Sequence, residues 1–247
     1  MADKTQIVYG MHAVRHALKH SLVYVLEIWI QNDRQSEQAI QDIIKLAGAT
    51  PVQYVSRQAM DNLTHFARHQ GVVIRKKKVR SANIDLTSLL SSDDKVTPLY
   101  LVLDGVQDPH NLGACLRTAD AAGVEAVIIP KDRAAGVNTT VSNVASGAAE
   151  SIPVIEVTNL ARTLRALQDA GIWVIGTAGD AETSIYDVDL NRPLALVMGA
   201  EDKGLRQNTR NHCDMLVSIP MAGIVENVNV SVATGICLFE AIRQRRS

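Results

Sequence analysis

"LYLVL" (residues 99–103) sets five apolar side chains in succession with no polar residue between them. A strand with one wet face alternates apolar and polar residues, so an unbroken run of this length belongs to a strand buried on both faces. Three later runs repeat the pattern: "AVIIP" (126–130), "IWVIG" (172–176) and "LALVMG" (194–199). Each of these closes on a proline or glycine, and helical stretches separate them. Strands and helices in alternation predict a parallel sheet covered on both faces, an α/β domain spanning 99–247.

Upstream, the pattern describes a smaller unit. A helical stretch at 10–20 and "VYVLEIWI" at 23–30 are followed by a helix at 36–47, stopped by Gly48. Then come "VQYV" (52–55), a helix opened by Ser56, and the strand "GVVIRK" (71–76). Residues 1–76 thus read as an α/β domain of their own. Residues 77–98, basic and then rich in Ser and Asp, read as a linker with one helical turn around Leu86, Leu89 and Leu90.

The totals agree with two globular domains: 247 residues, 47% hydrophobic and 21% charged. No apolar run reaches the roughly 18 residues of a membrane span, and the first residues lack a signal-peptide pattern, which predicts a cytoplasmic protein without a membrane partner. Cys115, Cys213 and Cys237 are widely spaced and form no metal-binding set, so they read as free thiols, two of them in apolar helical runs. The net charge of −1 conceals a polarity: residues 1–80 carry 12 Lys and Arg against 6 Asp and Glu, hence +6, and the remainder 13 against 20, hence −7. The basic excess includes "RKKKVR" (75–80) and Arg15, His16, Lys19 and His20 on one helix. Arg15, Lys19, Arg75, Lys76, Lys77 and Lys78 are therefore the candidates for contact with the phosphates of a polyanionic partner.

Open parallel sheets bind ligands beyond the carboxyl ends of their strands. No G-x-G-x-x-G follows a strand, and "GAEDKG" (199–204) has P-loop glycine spacing but continues with Leu205 where Lys and Ser or Thr are required. Dinucleotide and nucleoside-triphosphate chemistry are thereby disfavoured. Three other stretches carry more polar and small residues than packing requires. In "DPHNLGACLRTADAAG" (108–123), Leu112, Cys115, Leu116 and Ala119 form an apolar stripe, while Arg117 stands among Gly113, Ala114 and Ala121. Alone, this stretch needs only a helix cap at Asn111 and a surface ion pair at Arg117. In "LALVMGAEDKGL" (194–205), Glu201 and Gly204 follow the strand, where a carboxylate near a helix start is the plain reading. In "VSIPMAGIVENVNVSVATGICLFEAI" (217–242), Asn227, Asn229, Ser231 and Thr234 supply more amide and hydroxyl groups than one cap uses.

Taken in this order, the three stretches resemble the motifs of the SpoU (TrmH-type) ribose 2′-O-methyltransferases of the SPOUT superfamily. The amino-terminal unit resembles the L30e-like substrate-binding domain of members that modify large-subunit rRNA, so the likeness runs over nearly the whole chain. It implies a carboxy-terminal sheet tied in a deep trefoil knot. It also implies S-adenosylmethionine (AdoMet) held around Thr177, Gly199, Ile219 and Val228, and a homodimer through the catalytic domain. The implied reaction methylates the 2′-hydroxyl of a guanosine in 23S rRNA, as free RNA or a pre-50S particle, with no DNA partner.

The resemblance makes Asn111, Arg117, Glu201 and Asn229 the catalytic group. Arg117 would stabilise developing alkoxide or meet a phosphate, since a guanidinium is a poor base. Asn111 would orient Arg117 or the ribose, Glu201 would anchor its loop or Arg117, and Asn229 would brace the knot loop and substrate. The chain departs from the family at Asn227-Val228-Asn229, where Ser-Leu-Asn is usual. Two rival readings stay open: a non-catalytic RNA-binding assembly factor with the same fold, and a base-methylating relative.

Overall fold

The computed structural model describes residues 5–20, 22–77, 86–90, 97–132, 134–201 and 203–246. Lys78 and the side chain of His20 lie outside the described residues. In its amino-terminal part the chain runs β1 (Thr5–Tyr9), α1 (Met11–His20), β2 (Val25–Gln31), α2 (Gln38–Ala47), β3 (Val52–Val55), α3 (Arg57–Leu63) and β4 (Val72–Lys77). The strands form one sheet in the order β1-β4-β2-β3, with β2 and β3 parallel and the other pairs antiparallel. Helices α1 and α2 bury Val14, Leu18, Ile40 and Ile43 against Ile28, Ile30, Val72 and Ile74. On the opposite face, Met60 of α3 meets Trp29 and Val73.

Local chemistry sets the boundaries of these elements. Gly48, at φ 57, ends α2 in a conformation that costs other residues a Cβ clash. The Ser56 hydroxyl oxygen accepts a hydrogen bond from the Ala59 amide at 3.3 Å and opens α3. Strand β1 is absent from the sequence-based expectation, because an edge strand with a single buried residue carries too little apolar pattern to be seen.

Further on come α4 (Leu86–Leu90), β5 (Leu99–Asp104), α5 (Pro109–Ala121), β6 (Ala126–Pro130), α6 (Thr139–Val144), α7 (Ala148–Ser151) and β7 (Val154–Val157). They are followed by α8 (Leu160–Asp169), β8 (Trp173–Thr177), β9 (Leu194–Gly199), α9 (Gln207–Arg210), β10 (Met215–Val217) and α10 (Val230–Arg245). Strands β5 to β10 make a six-stranded, wholly parallel sheet in the order β10-β8-β9-β5-β6-β7. All residues of β5 and β6 are buried, as their unbroken apolar runs require. One face packs Tyr100, Val102, Ile128 and Val197 against Leu164 and Leu167 of α8, with Leu86, Leu89 and Leu90 of α4 at the margin. Helices α5 and α10 pack against each other, and the Thr234 hydroxyl lies 3.5 Å from the Cys115 thiol between them.

Residues 137–151, carrying α6 and α7, cluster with the amino-terminal unit rather than with the strands on either side of them in sequence. Gly147 has φ +98, and a Cβ there would meet the His16 ring at 2.2 Å. His16, counted from sequence in the basic excess of its helix, is half-buried at this close approach. Among the described residues, no helix is long and apolar enough to cross a membrane.

Candidate active site

Helix α5 begins with a division of labour. Asp108 is the cap, its carboxylate accepting from the His110 amide at 3.0 Å, and Pro109 takes the first helical position, where its missing N–H costs nothing. Asn111 is therefore not spent as a cap. Its Nδ2 donates to Glu201 Oε2 at 3.1 Å, while Asn229 Nδ2 donates to Asn111 Oδ1 at 3.0 Å and to Glu201 Oε1 at 3.1 Å. Three motifs thus close one ring, although Asn111 is 90 residues from Glu201 and 118 from Asn229. Asn229 also caps α10: its Oδ1 accepts from the Ser231 amide at 2.9 Å and the Ser231 hydroxyl at 2.6 Å. Both ends of that amide are in use, so the ring fixes the start of α10 to the loop after β9 and to the first turn of α5.

Beside the ring, a cleft of about 790 Å³ opens at the carboxyl ends of β8, β9 and β10. Thr177, Gly199, Ile219 and Val228 all line it, together with Glu201 and Asn227. Gly199 is required by contact, since a Cβ there would sit 2.1 Å from the Gly204 carbonyl carbon and 2.3 Å from the Leu205 nitrogen. The loop doubles back on itself, with the Ala200 amide donating to Gly204 O at 3.1 Å and the Gly204 amide to Ala200 O at 2.8 Å. Its far end is held by Asp104, at the tip of β5. The buried Asp104 carboxylate accepts from the Arg206 amide at 3.0 Å and faces the Arg206 Nε at 3.4 Å. Sequence reasoning missed Asp104. The available signal was an acidic residue ending an otherwise apolar strand, where burial demands a donor.

Arg117 stands apart from this group. It is exposed, does not line the cleft, and forms no hydrogen bond or ion pair with any described residue. Asn111 and Glu201, expected as its orienters, bond to each other instead. Of its small neighbours, Gly113 is buried with the apolar stripe, whereas Ala114 is half-buried and Ala121 exposed. A 13-residue helix packed against α10 buries more than the four positions that periodicity alone assigns.

The basic candidates divide similarly. Lys19, Arg75 and Lys77 are exposed, and Arg15 lies 4.0 Å from Asp42. Lys76 corrects the expectation: only 1% of it is exposed, because strand alternation turns residues 72, 74 and 76 toward α1 and α2. It is not part of a phosphate-contacting surface. Arg75 pairs with Glu27 and lies over the Trp29 ring at 5.9 Å. Burial pushes the thiols of Cys115 and Cys237 up to about 11 and about 12, and that of Cys213 to about 12, so none is poised as a nucleophile at neutral pH.

A parallel α/β sheet with a glycine-walled crevice at the carboxyl ends of its strands is the architecture of an α/β protein that binds a small ligand there. The pattern of the SpoU rRNA methylase family matches residues 98–239, and that of the RNA 2′-O ribose methyltransferase substrate-binding domain matches residues 7–82. The chain belongs to the SpoU rRNA methylase family. It is 53% identical over 247 residues, 99% of either chain, to the 23S rRNA (guanosine-2′-O-)-methyltransferase RlmB of Shewanella oneidensis. Two solved structures share the fold. The SpoU methyltransferase AviRb of Streptomyces viridochromogenes, in complex with AdoMet, has a TM-score of 0.78 at 25% identity, covering 98% of this chain and 91% of its own. An AdoMet-bound rRNA methyltransferase of Sinorhizobium meliloti has a TM-score of 0.74 at 27% identity, covering 97% and 87%.

Proposed function

We propose that this chain is an AdoMet-dependent methyltransferase that modifies the ribose 2′-hydroxyl of a guanosine in 23S rRNA during maturation of the large ribosomal subunit, in the cytoplasm. The observation that carries the reading is the ring of Asn111, Glu201 and Asn229 set against the glycine-walled cleft. The relatives named above support the rRNA substrate. The residues of the cleft suit the donor: Thr177, Gly199, Ile219 and Val228 would hold it, and the carboxylates of Glu201 and Glu226 in its lining favour a cationic ligand, whereas Asp180 is already paired with Arg210. Bound AdoMet supplies a methyl group on a sulfonium, which leaves as a neutral thioether.

With the leaving group already activated, the chain must align the reacting atoms, while the hydroxyl proton passes to a phosphate or to solvent. Alignment is worth up to roughly 7–11 kcal/mol in favourable cases. The ring holds the walls of the cleft in register, which makes Asn111 and Asn229 positioning groups for the loops that contact donor and ribose. Arg117 supplies the cation, its planar fork meeting a phosphate or the ribose oxygen as negative charge develops. Having no partner within its own chain's described residues, it is free to act at the cleft of a second copy. Val232 and Phe239, half-exposed and seven residues apart on one face of α10, offer an apolar surface for such a homodimer. The knot is part of the same proposal. The connection between β8 and β9 wraps the last turns of α10, where Gln244 bonds to Val188 and Leu190 and Arg245 to Leu190 and Arg192.

Transfer of labelled methyl from AdoMet to 23S rRNA taken from cells lacking the protein tests the reading, the product being a guanosine whose 3′ phosphodiester resists alkali. Arg117→Ala is expected to lower the rate about a hundredfold or more while AdoMet affinity holds. A variant keeping half the wild-type rate removes Arg117 from the chemistry. A product that alkali still cleaves points instead to base methylation, and wild-type protein that binds rRNA without transfer points to an assembly factor.

A further inference from the structure

Phe66, one of two phenylalanines in the chain, is 79% exposed. It sits at φ 63 beside His65 at φ 52, and Gln70 on the same loop has φ 55. Left-handed backbone is disfavoured for residues with a Cβ, so three such positions persist only where surrounding contacts over-determine them. Those contacts are present. The Phe66 amide donates to Asp61 O at 2.7 Å, and the Thr64 hydroxyl to Met60 O at 2.9 Å. The buried His69 ring bridges the Gly71 amide, 3.1 Å from Nδ1, and the Asp61 carboxylate, 3.1 Å from Nε2. At the end of the loop, Gln70 O accepts from Arg34 Nη1 at 2.6 Å and Gln70 Oε1 accepts from the Met11 amide at 2.9 Å. The fold thus spends a rigid, strained loop on holding an aromatic ring in water.

The charges around that ring select its occupant. His65 and Arg68 are exposed on the same loop, and Arg68 has no ion pair among the described residues. The Arg57 side chain, at the start of the preceding helix, is 77% exposed and faces Asp61 at 3.9 Å, a long surface pair that a phosphate can displace. Arg75 and Lys77 leave the sheet on the face that α3 covers. A protein partner would call for a contiguous apolar patch, and a single ring set among cations does not make one. A nucleobase needs only a flat face to stack on, with cations for its neighbouring phosphates. We infer that Phe66 is a stacking platform for an unpaired base of the substrate RNA, with Arg68 and Arg57 meeting the flanking phosphates. The inference rests on the rRNA-methyltransferase reading above and adds to it a subsite distant in sequence from every methyl-transfer residue.

Binding of the full-length protein to deproteinised, unmodified 23S rRNA tests it. Phe66→Ala and Phe66→Gly are expected to raise the RNA dissociation constant about fivefold or more, with AdoMet affinity unchanged, while Phe66→Trp binds as wild type does. Phe66→Gly should at the same time raise the melting temperature, because glycine accepts the left-handed conformation without strain. Stability and binding then move in opposite directions, which a merely structural role does not allow. Arg68→Ala should flatten the salt dependence of binding, whereas Phe66→Ala leaves its slope intact. Alanine and glycine variants that bind as tightly as wild type, or a tryptophan variant as weak as alanine, overturn the stacking role. Wild-type protein that neither binds nor methylates the rRNA overturns the underlying function instead.

Discussion

Asp104 concentrates the cost of burying a charge in one place, and Arg206 offsets it twice, through its backbone amide and its guanidinium. A buried carboxylate deprived of donors would be strongly destabilising. Its removal should therefore be felt both as the loss of a hydrogen bond and an ion pair and as a slackened loop. Asp104→Ala is expected to lower unfolding free energy by about 2–3 kcal/mol, and Asp104→Asn, which keeps the volume and one acceptor, by about 1 kcal/mol. Urea titration reads the first effect. Calorimetric titration with AdoMet reads the second, a weaker affinity in both variants, because the pinned loop carries Gly199, Glu201 and Gly204 along the cleft. At this scale the sequence was partly legible. Of Asn111, Glu201 and Asn229, only Asn229 stood out by chemical type, in a stretch with more polar groups than one cap consumes; Asn111 and Glu201 each allowed a plain cap or turn reading and joined it through the resemblance of the three stretches to one family. Their bonding to one another was not readable, since it depends on Asp108 relieving Asn111 of the cap and on distances across 90 and 118 residues.

Elements differ in how much of themselves they write into sequence. The buried parallel strands were legible because both faces demand apolar side chains, and β5, β6, β8 and β9 lie where their runs predict. An edge strand such as β1 leaves no such signature, and the helical turns at 137–151 give no sign of their allegiance, which small residues such as Gly147 determine only by what comes near them. Lys76 shows the opposite error, in which a basic run was read as one surface although a strand splits it between two faces. Gly199 is where element geometry and function meet. Gly199→Ala would force a methyl group into the backbone of residues 204 and 205, an overpacking expected to cost about 1–3 kcal/mol. Because the strained segment lines the cleft, AdoMet binding should fall with it. A crystal structure or an AdoMet titration of the variant checks this, and unchanged affinity would mean that the loop yields without consequence.

For the molecule as a whole, the buried thiols and Tyr100 set a limit on the alkaline side. An ordinary cysteine value of 9.0 is raised by burial to about 11 at Cys115 and about 12 at Cys213 and Cys237, and Tyr100 rises from 10.0 to about 12. Between pH about 9 and about 11 the unfolded chain surrenders thiol protons that the folded chain keeps. The unfolded state then binds fewer protons, so stability falls as pH rises through this window. Urea midpoints should accordingly drop between pH about 8 and about 10.5, and replacing Cys237 by Ala should shallow the slope at the price of a small packing loss.

The membership of residues 137–151 in the first unit has a consequence for anyone who would cut or graft this protein. Severing the stretch after β4 does not set that unit loose, because the polypeptide returns to it between β6 and β7 and departs again. Three covalent passages join the halves where sequence suggested one. A chimera that transplants only the leading segment would leave behind the glycine on which His16 rests, so the graft must be taken in two pieces.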